Sequence, residues 1–199
     1  MDYFDYDDFK CDYYDIKSLN QHFSKNNSSL NLIHLNIRSI KSNLNEFLIN
    51  LMKINFDFHI FVLSETWMSA RSDWTFVPGY KAFHSIRMGR QGGRVSILFR
   101  SDLDAIELPN YTVNNYIFEC ITLNVVIKNE KHTVMGVYRP PNSALQLFNT
   151  HFFDLIEGVP NKKNCTILGD FNVDLNNSSL FVHTAEFFIC LSPNIFCLS

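Results

Sequence analysis

Hydrophobic positions in this chain fall into blocks of two periodicities. Leu32 to Asn36 reads as a short strand and His59 to Ser64 as a second, while SIKSNLNEFLINLMKI between them carries Ile40, Leu44, Phe47, Leu48 and Leu51 at helical spacing. Strand, helix and strand in so short a span predict a parallel crossover, a unit that presents functional residues at the carboxyl ends of its strands. Beyond Pro78-Gly79, a turn signal, RVSILFR reads as a strand. Phe118 to Ile127 and His132 to Tyr138 follow, joined by the charged turn KNEK, as an antiparallel hairpin that Pro140 and Pro141 terminate. Ser143 is placed to cap the helix ALQLFNTHFFDLIEG, whose buried stripe is Leu145, Phe148, Phe152, Leu155 and Ile156, and TILGD is the last clear strand. Residues 1–29 read as a flank, acidic and aromatic first and then Asn- and Ser-rich, and residues 30–199 as one α/β domain of helices packed on mainly antiparallel sheets.

Three of the apolar runs end on polar residues. LIHLNIR delivers Asn36, FHIFVLSETW delivers Glu65, and CTILGDFN delivers Asp170 and Asn172. A buried strand gains nothing from a carboxylate or carboxamide at its exit, so the repetition predicts strand ends that share a site. Two carboxylates and two amides suit a hard, oxygen-liking cation such as Mg2+ or Mn2+ and a phosphate bound to it, which is the chemistry of phosphoryl transfer. Each residue also has a plainer reading. Glu65 can close a loop or pair with an Arg, GD-x-N can be an Asx turn, Asn36 and Arg38 can be a helix cap beside a surface Arg, and Tyr138 can be an ordinary half-buried strand tyrosine next to Arg139. His34 and His59 lie inside apolar runs and read as core.

Composition narrows the field. With 46% hydrophobic and 19% charged residues over 199, the chain is rich enough in apolar material for a substantial core under a thin polar surface. The formal net charge of −3 argues against nucleic acid only until it is divided along the chain. Six Asp against one Lys in the first fifteen residues carry −5, so the remainder is weakly basic and able to bind DNA through a local patch. Arg87, Arg90, Arg94 and Arg100, with Gly89, Gly92 and Gly93 among them, are its one basic concentration, either a DNA-backbone contact or a tight turn into the following strand. Five cysteines without CxxC spacing indicate neither a zinc site nor a disulfide framework and suit a reducing, intracellular compartment. No secretory signal or membrane span is read from the sequence.

LNIRSI, SETW, GGRVSILFR, YRPPN and GDFN, in that order between about Leu30 and Asn177, resemble the successive motifs of the exonuclease–endonuclease–phosphatase superfamily, in the version found in the endonuclease domain of non-LTR (LINE-like) retrotransposons. The resemblance implies a four-layer α/β/β/α sandwich of the DNase type and Mg2+- or Mn2+-dependent nicking of DNA, in the service of a reverse-transcriptase domain of the same element and therefore in the nucleus. It implies Glu65 as metal ligand with Asn36 assisting, Asp170 as the group that orients or deprotonates the attacking water, and Asn172 and Tyr138 on the phosphate. Arg38, Arg139 and Arg94 are carried along as DNA or phosphate contacts. The family closes with two more strands, one bearing an Asp and the last a Ser-Asp-His triplet. That triplet is absent, and His183 in LFVHTAEFF lacks its Ser-Asp neighbours. The chain is therefore expected to be an incomplete domain with no general-base His and little activity, and the alternative function is that of a catalytically dead module that binds nucleic acid or protein weakly.

Overall fold

The protein is described by a computed structural model, which covers residues 14–22, 30–55, 57–69, 77–85, 92–160, 162–173 and 197–198. The acidic start, Arg87, Gly89, Arg90, and the late segment with His183 lie outside the described residues.

Two sheets lie face to face. The first contains β1 (Leu32–Asn36), β2 (Ile60–Ser64), β3 (Tyr80–His84) and β4 (Val95–Arg100) in the order β1-β2-β4-β3. The second contains β5 (Asp104–Glu107), β7 (Glu119–Ile127), β8 (Glu130–Tyr138), β9 (Cys165–Asp170) and β10 (Cys197–Leu198) in the order β10-β9-β8-β7-β5, with β6 (Val113–Asn114) also pairing with β7. Most pairs are antiparallel, but β1 runs parallel to β2, β8 to β9 and β10 to β9, and the first two of these pairs carry or lead into the candidate residues.

Alternation along each strand sorts the side chains into layers. Ile60, Val62, Val95 and Ile97 of the first sheet meet Ile121, Leu123, Val125, Val134 and Leu168 of the second. Gly136 permits that approach, because a Cβ there would lie 3.0 Å from methyl carbons of Val62 and Val95 and 3.1 Å from the Cγ1 methylene of Ile97. On the outer face of the first sheet α2 (Ile40–Met52) lays Ile40, Leu44 and Phe47 against Phe61, Leu63 and Leu98. On the outer face of the second, α3 (Leu145–Gly158) lays Phe148, Phe152 and Ile156 against Cys120, Met135, Val137, Ile167 and Phe171. Helix, sheet, sheet, helix is the expected four-layer sandwich.

Local chemistry explains the turns. Lys128 and Asn129, with φ of 51° and 66°, form the two-residue turn between β7 and β8, where a left-handed backbone matches the twist of the strands. Ser39 caps α2 by accepting from the Ser42 N–H at 3.4 Å. Ser143 does not cap α3, as the sequence suggested. The cap position falls on Ala144, and the Ser143 hydroxyl donates to the Pro140 carbonyl at 3.0 Å, which folds the YRPPNS turn back on itself. Before the domain, α1 (Ile16–His22) rests on the end of α2, with Asn20 Nδ2 donating to the Lys53 carbonyl and Asn20 Oδ1 accepting from the Asn55 N–H, both at 2.8 Å. Part of the 1–29 flank thus touches the domain.

Candidate active site

The polar strand ends meet at one rim of the sandwich. In the first sheet Asn36 lies beside Ser64, and Ser64 beside Val95, so the ends of β1 and β2 and the start of β4 are level. In the second, Glu119, Tyr138 and Asp170 stand side by side across β7, β8 and β9. Register puts all three side chains on the inner face, the face of Leu168 and Ile121. The two rows close on each other through Asn36 Nδ2, which donates to Asp170 Oδ2 at 2.8 Å, and Tyr138 Oη, which donates to Glu65 Oε1 at 3.4 Å.

Asp170 is thereby held at both oxygens, since the Asn172 N–H donates to Oδ1 at 3.2 Å. That last bond is the Asx turn of the plainer sequence reading, so turn and site coexist here. Extended geometry stops at Asp170, however. Asn172 takes a left-handed backbone with φ of 49° and turns its Nδ2 onto the Arg139 carbonyl at 2.8 Å, so it does not simply alternate onto the side of Asp170. Asn36 is likewise not the helix cap. Its Oδ1 accepts from the Arg38 N–H at 3.2 Å, and Arg38 is exposed beside it.

Two arginines expected on phosphate are turned inward. Arg139 is only 5% exposed and lies 6.0 Å over the Phe148 ring. Its Nε donates to the Phe171 carbonyl at 2.5 Å and Nη1 to the Ser143 carbonyl at 2.6 Å, while Nη2 reaches the Asn172 carbonyl. Those donors clamp the GDFN loop to the YRPPNS turn and do not face a ligand. Burial pushes the guanidinium pKa down, partly offset by Asp170, and the four oxygens around it compensate for lost water. Arg94 is 3% exposed, with Nη1 3.5 Å from the Gly92 carbonyl, and so also lies inside the fold.

Glu119 was not singled out in the sequence. It is fully buried, accepts from the Ser85 hydroxyl at 3.3 Å, and stands so close to Gly93 that a Cβ on that glycine would lie 2.9 Å from its Oε1 and 3.2 Å from the Tyr138 ring. The signal was present as a carboxylate opening the apolar run FECITLNVVI, the same logic that marks Glu65 at the closing end of its strand. Tyr138 is consequently enclosed. Burial first, then Glu65, Asp170 and Glu119, raise its pKa well above the tyrosine range, so it remains a phenol and a donor. His34, two residues below Asn36 on the inner face, lies 3.0 Å from the Ser64 hydroxyl, and burial lowers its pKa against the pull of Asp170.

The loops around these groups are strained. Among the described residues eight non-glycine positions have positive φ, and six of them, Arg38, Ser39, Glu65, Trp67, Arg94 and Asn172, lie on the four loops that follow β1, β2 and β9 and precede β4. Each such position costs on the order of 1–3 kcal/mol, and a cluster of them at one rim is characteristic of functional sites. Cross-loop hydrogen bonds hold them. The Ser39 N–H donates to the Glu65 carbonyl at 2.8 Å, Ile40 N–H to Thr66 at 3.0 Å, and Thr66 and Trp67 N–H to Arg94 and Gly93 at 3.2 Å.

The rim offers hard oxygen donors. No group of three or more His, Cys, Asp or Glu positioned to hold a metal occurs among the described residues, but the Glu65 carboxylate, the Asn36 amide oxygen and Asp170 match what Mg2+ takes from a protein, one or two carboxylates with the rest left to water and substrate.

A model of the Endonuclease/Exonuclease/phosphatase family matches residues 33–188. Among solved structures, the chain is similar to the endonuclease domain of TRAS1, a telomere-specific non-LTR retrotransposon, at 15% identity and a TM-score of 0.62, over 82% of this chain and 69% of that one. It is also similar to the 3′ phosphatase NExo from Neisseria bound to product DNA hairpin (15%, 0.56, 82% and 70%) and to the Xenopus laevis APE2 catalytic domain (16%, 0.51, 80% and 67%). At these identities the likeness establishes the fold. No curated protein sequence matches the chain.

Proposed function

Given that the chain belongs to the endonuclease/exonuclease/phosphatase family, we propose that it is a divalent-metal-dependent phosphodiesterase, specifically a DNA-nicking endonuclease of a non-LTR retrotransposon that works beside a reverse-transcriptase domain. The observation that carries the reading is the meeting of Asn36 with Asp170 and of Tyr138 with Glu65 across the two sheets, which gathers carboxylates, amides and a phenol on one rim. Similarity to a retrotransposon endonuclease domain and to a phosphatase bound to DNA supports the substrate class.

In this reading Glu65, with the Asn36 amide oxygen, holds Mg2+ or Mn2+. When bound, the ion supplies positive charge to the phosphate oxygens as negative charge develops on them. Asp170, fixed by Asn36 and by the Asn172 N–H, presents its remaining lone pairs to the attacking water, which it orients and from which it can take a proton. Tyr138, held as a phenol, would turn its one O–H from Glu65 to a phosphate oxygen when substrate binds, and Asn172, two residues beyond Asp170, is the second amide assigned to the phosphate. Arg38, exposed next to Asn36, is the arginine left to meet the DNA backbone. Arg139 acts by positioning the loop that carries Asp170.

The test is a supercoiled-plasmid assay with Mg2+ or Mn2+ on wild type, Glu65→Ala and Asp170→Ala, with Mn2+ binding followed by titration. Weak EDTA-sensitive nicking that both substitutions abolish, with Mn2+ binding lost in Glu65→Ala alone, is the expected pattern for the full reading. Nicking or Mn2+ binding unchanged in Glu65→Ala would overturn it. Binding of Mn2+ and DNA with no nicking would leave the weaker reading of a nucleic-acid-binding module.

A further inference from the structure

We propose that Trp67 is a stacking platform for a nucleobase next to the phosphate held at the rim, an inference that rests on the DNA reading above and adds a base contact to it. Three aromatic residues are prominently exposed among the described residues. Tyr14 lies on the approach to α1 and Tyr116 in the loop that leads into β7 ahead of Glu119, whereas Trp67, 48% exposed, is two residues from the proposed metal ligand Glu65. Its neighbours alternate with it: Thr66 and Met68 are each 1% exposed, and the Met68 sulfur lies 3.9 Å from the Ser96 hydroxyl. The segment is thus anchored on both sides of an indole that it directs outward.

The backbone is built for this display. Trp67 has φ of 54°, a left-handed conformation unfavourable for any residue with a Cβ, and its N–H is pinned to the Gly93 carbonyl at 3.2 Å. Gly93 in turn packs against Tyr138 and Glu119, so one glycine links the tryptophan backbone to the phenol that donates to Glu65. An indole kept half in water on a strained, fixed backbone contributes little to the core, and a glycine or asparagine would relieve the strain. The exposed or half-exposed residues two positions to either side in the chain, Glu65 and Ser69, are polar. A half-exposed π-face two residues from the proposed metal ligand suits a base, and every base offers a π-face, so the contact adds affinity with little sequence preference.

Fluorescence anisotropy on labelled DNA hairpins, with Ca2+ in place of Mg2+, tests it. Wild type, Trp67→Phe and Trp67→Ala are each titrated with a normal hairpin and with a series carrying one abasic spacer at successive positions. Trp67→Ala is expected to weaken binding to normal DNA by about tenfold and Trp67→Phe, which keeps an aromatic face, by about threefold or less. At one spacer position wild type should lose a similar factor while Trp67→Ala loses nothing further, the non-additivity that marks a direct contact. Equal binding by wild type and Trp67→Ala, or losses that add at every spacer position, would overturn the inference and leave the DNA reading standing. Wild type that binds no hairpin would remove both. If Trp67→Ala fails to fold, the spacer series on wild type and Trp67→Phe still decides, because a wild type indifferent to every spacer has no stacked base.

Discussion

At the scale of single residues, the candidate site depends as much on groups that face inward as on those that face a ligand. Arg139 joins two backbone segments through the carbonyls of Phe171 and Asn172 on one and Ser143 on the other, and removing it would strand those acceptors in a region closed to water. Arg139→Ala is therefore expected to destabilise the protein by about 3 kcal/mol, measured by urea unfolding. Arg139→Lys should recover only part of this, because an ammonium lacks the planar fork that reaches several oxygens at once. Equal stability of wild type and Arg139→Ala would show that the GDFN loop is held by other means. The same position illustrates why a sequence motif does not assign direction. YRPP marks an arginine beside a tyrosine at a strand end, and only packing against Phe148 reveals that the arginine turns into the fold while the tyrosine turns to the rim.

At the scale of elements, the β7-β8 hairpin is the backbone of the second sheet, and it carries Glu119 and Tyr138 at one end and the Lys128-Asn129 turn at the other. Both turn residues have positive φ, and lysine at the first position is poorly suited to it. Replacing the pair by Asn-Gly, through Lys128→Asn and Asn129→Gly together, should raise stability by about 0.5–1 kcal/mol in a thermal melt without altering metal or DNA binding at the far end of the hairpin. A fall in melting temperature would mean that the Lys128 side chain contributes more than its backbone conformation costs. Periodicity made this hairpin, α2, α3, β1, β2, β4 and β9 legible, because each carries a continuous apolar run or an apolar face at regular spacing. It did not reveal β3 or β5. YKAFH is only partly buried, and DAIE is a charged edge strand whose extended form comes from pairing with β7 and not from its own pattern.

At the scale of the whole molecule, the site exists because two sheets approach closely enough for Asn36 to reach Asp170. Gly136 sets that approach, with no room for a methyl group between Val62, Val95 and Ile97. Gly136→Ala should overpack the inter-sheet core, destabilise the fold by about 1–3 kcal/mol in urea unfolding, and weaken Mn2+ binding by moving the two rows of the rim apart. Lost stability with unchanged Mn2+ affinity would show that the rim is held by its loops and not by sheet spacing. The helices matter to the site indirectly, by covering the outer faces and leaving the inner rim as the place where polar strand ends can collect. No helix among the described residues is long and apolar enough to cross a membrane.

The amino-acid pattern alone determined the periodic elements, the mixed α/β class and the identity of Asn36, Glu65, Tyr138 and Asp170 as polar residues at strand ends, because burial periodicity and the interruption of an apolar run are local properties of a chain, while the four-layer arrangement came from the motif resemblance. Tertiary structure alone decided which of these residues meet, which arginines turn inward, and that Glu119 belongs to their surroundings. Those outcomes depend on register between strands distant in sequence and on the spacing of two sheets, neither of which leaves a trace in any single segment. The left-handed backbone at Glu65, Trp67 and Asn172 belongs to the same class. Only Asn172 is of a type that favours this conformation, so residue type gives no warning at Glu65 and Trp67, where the backbone is held by hydrogen bonds from loops that the fold brings alongside.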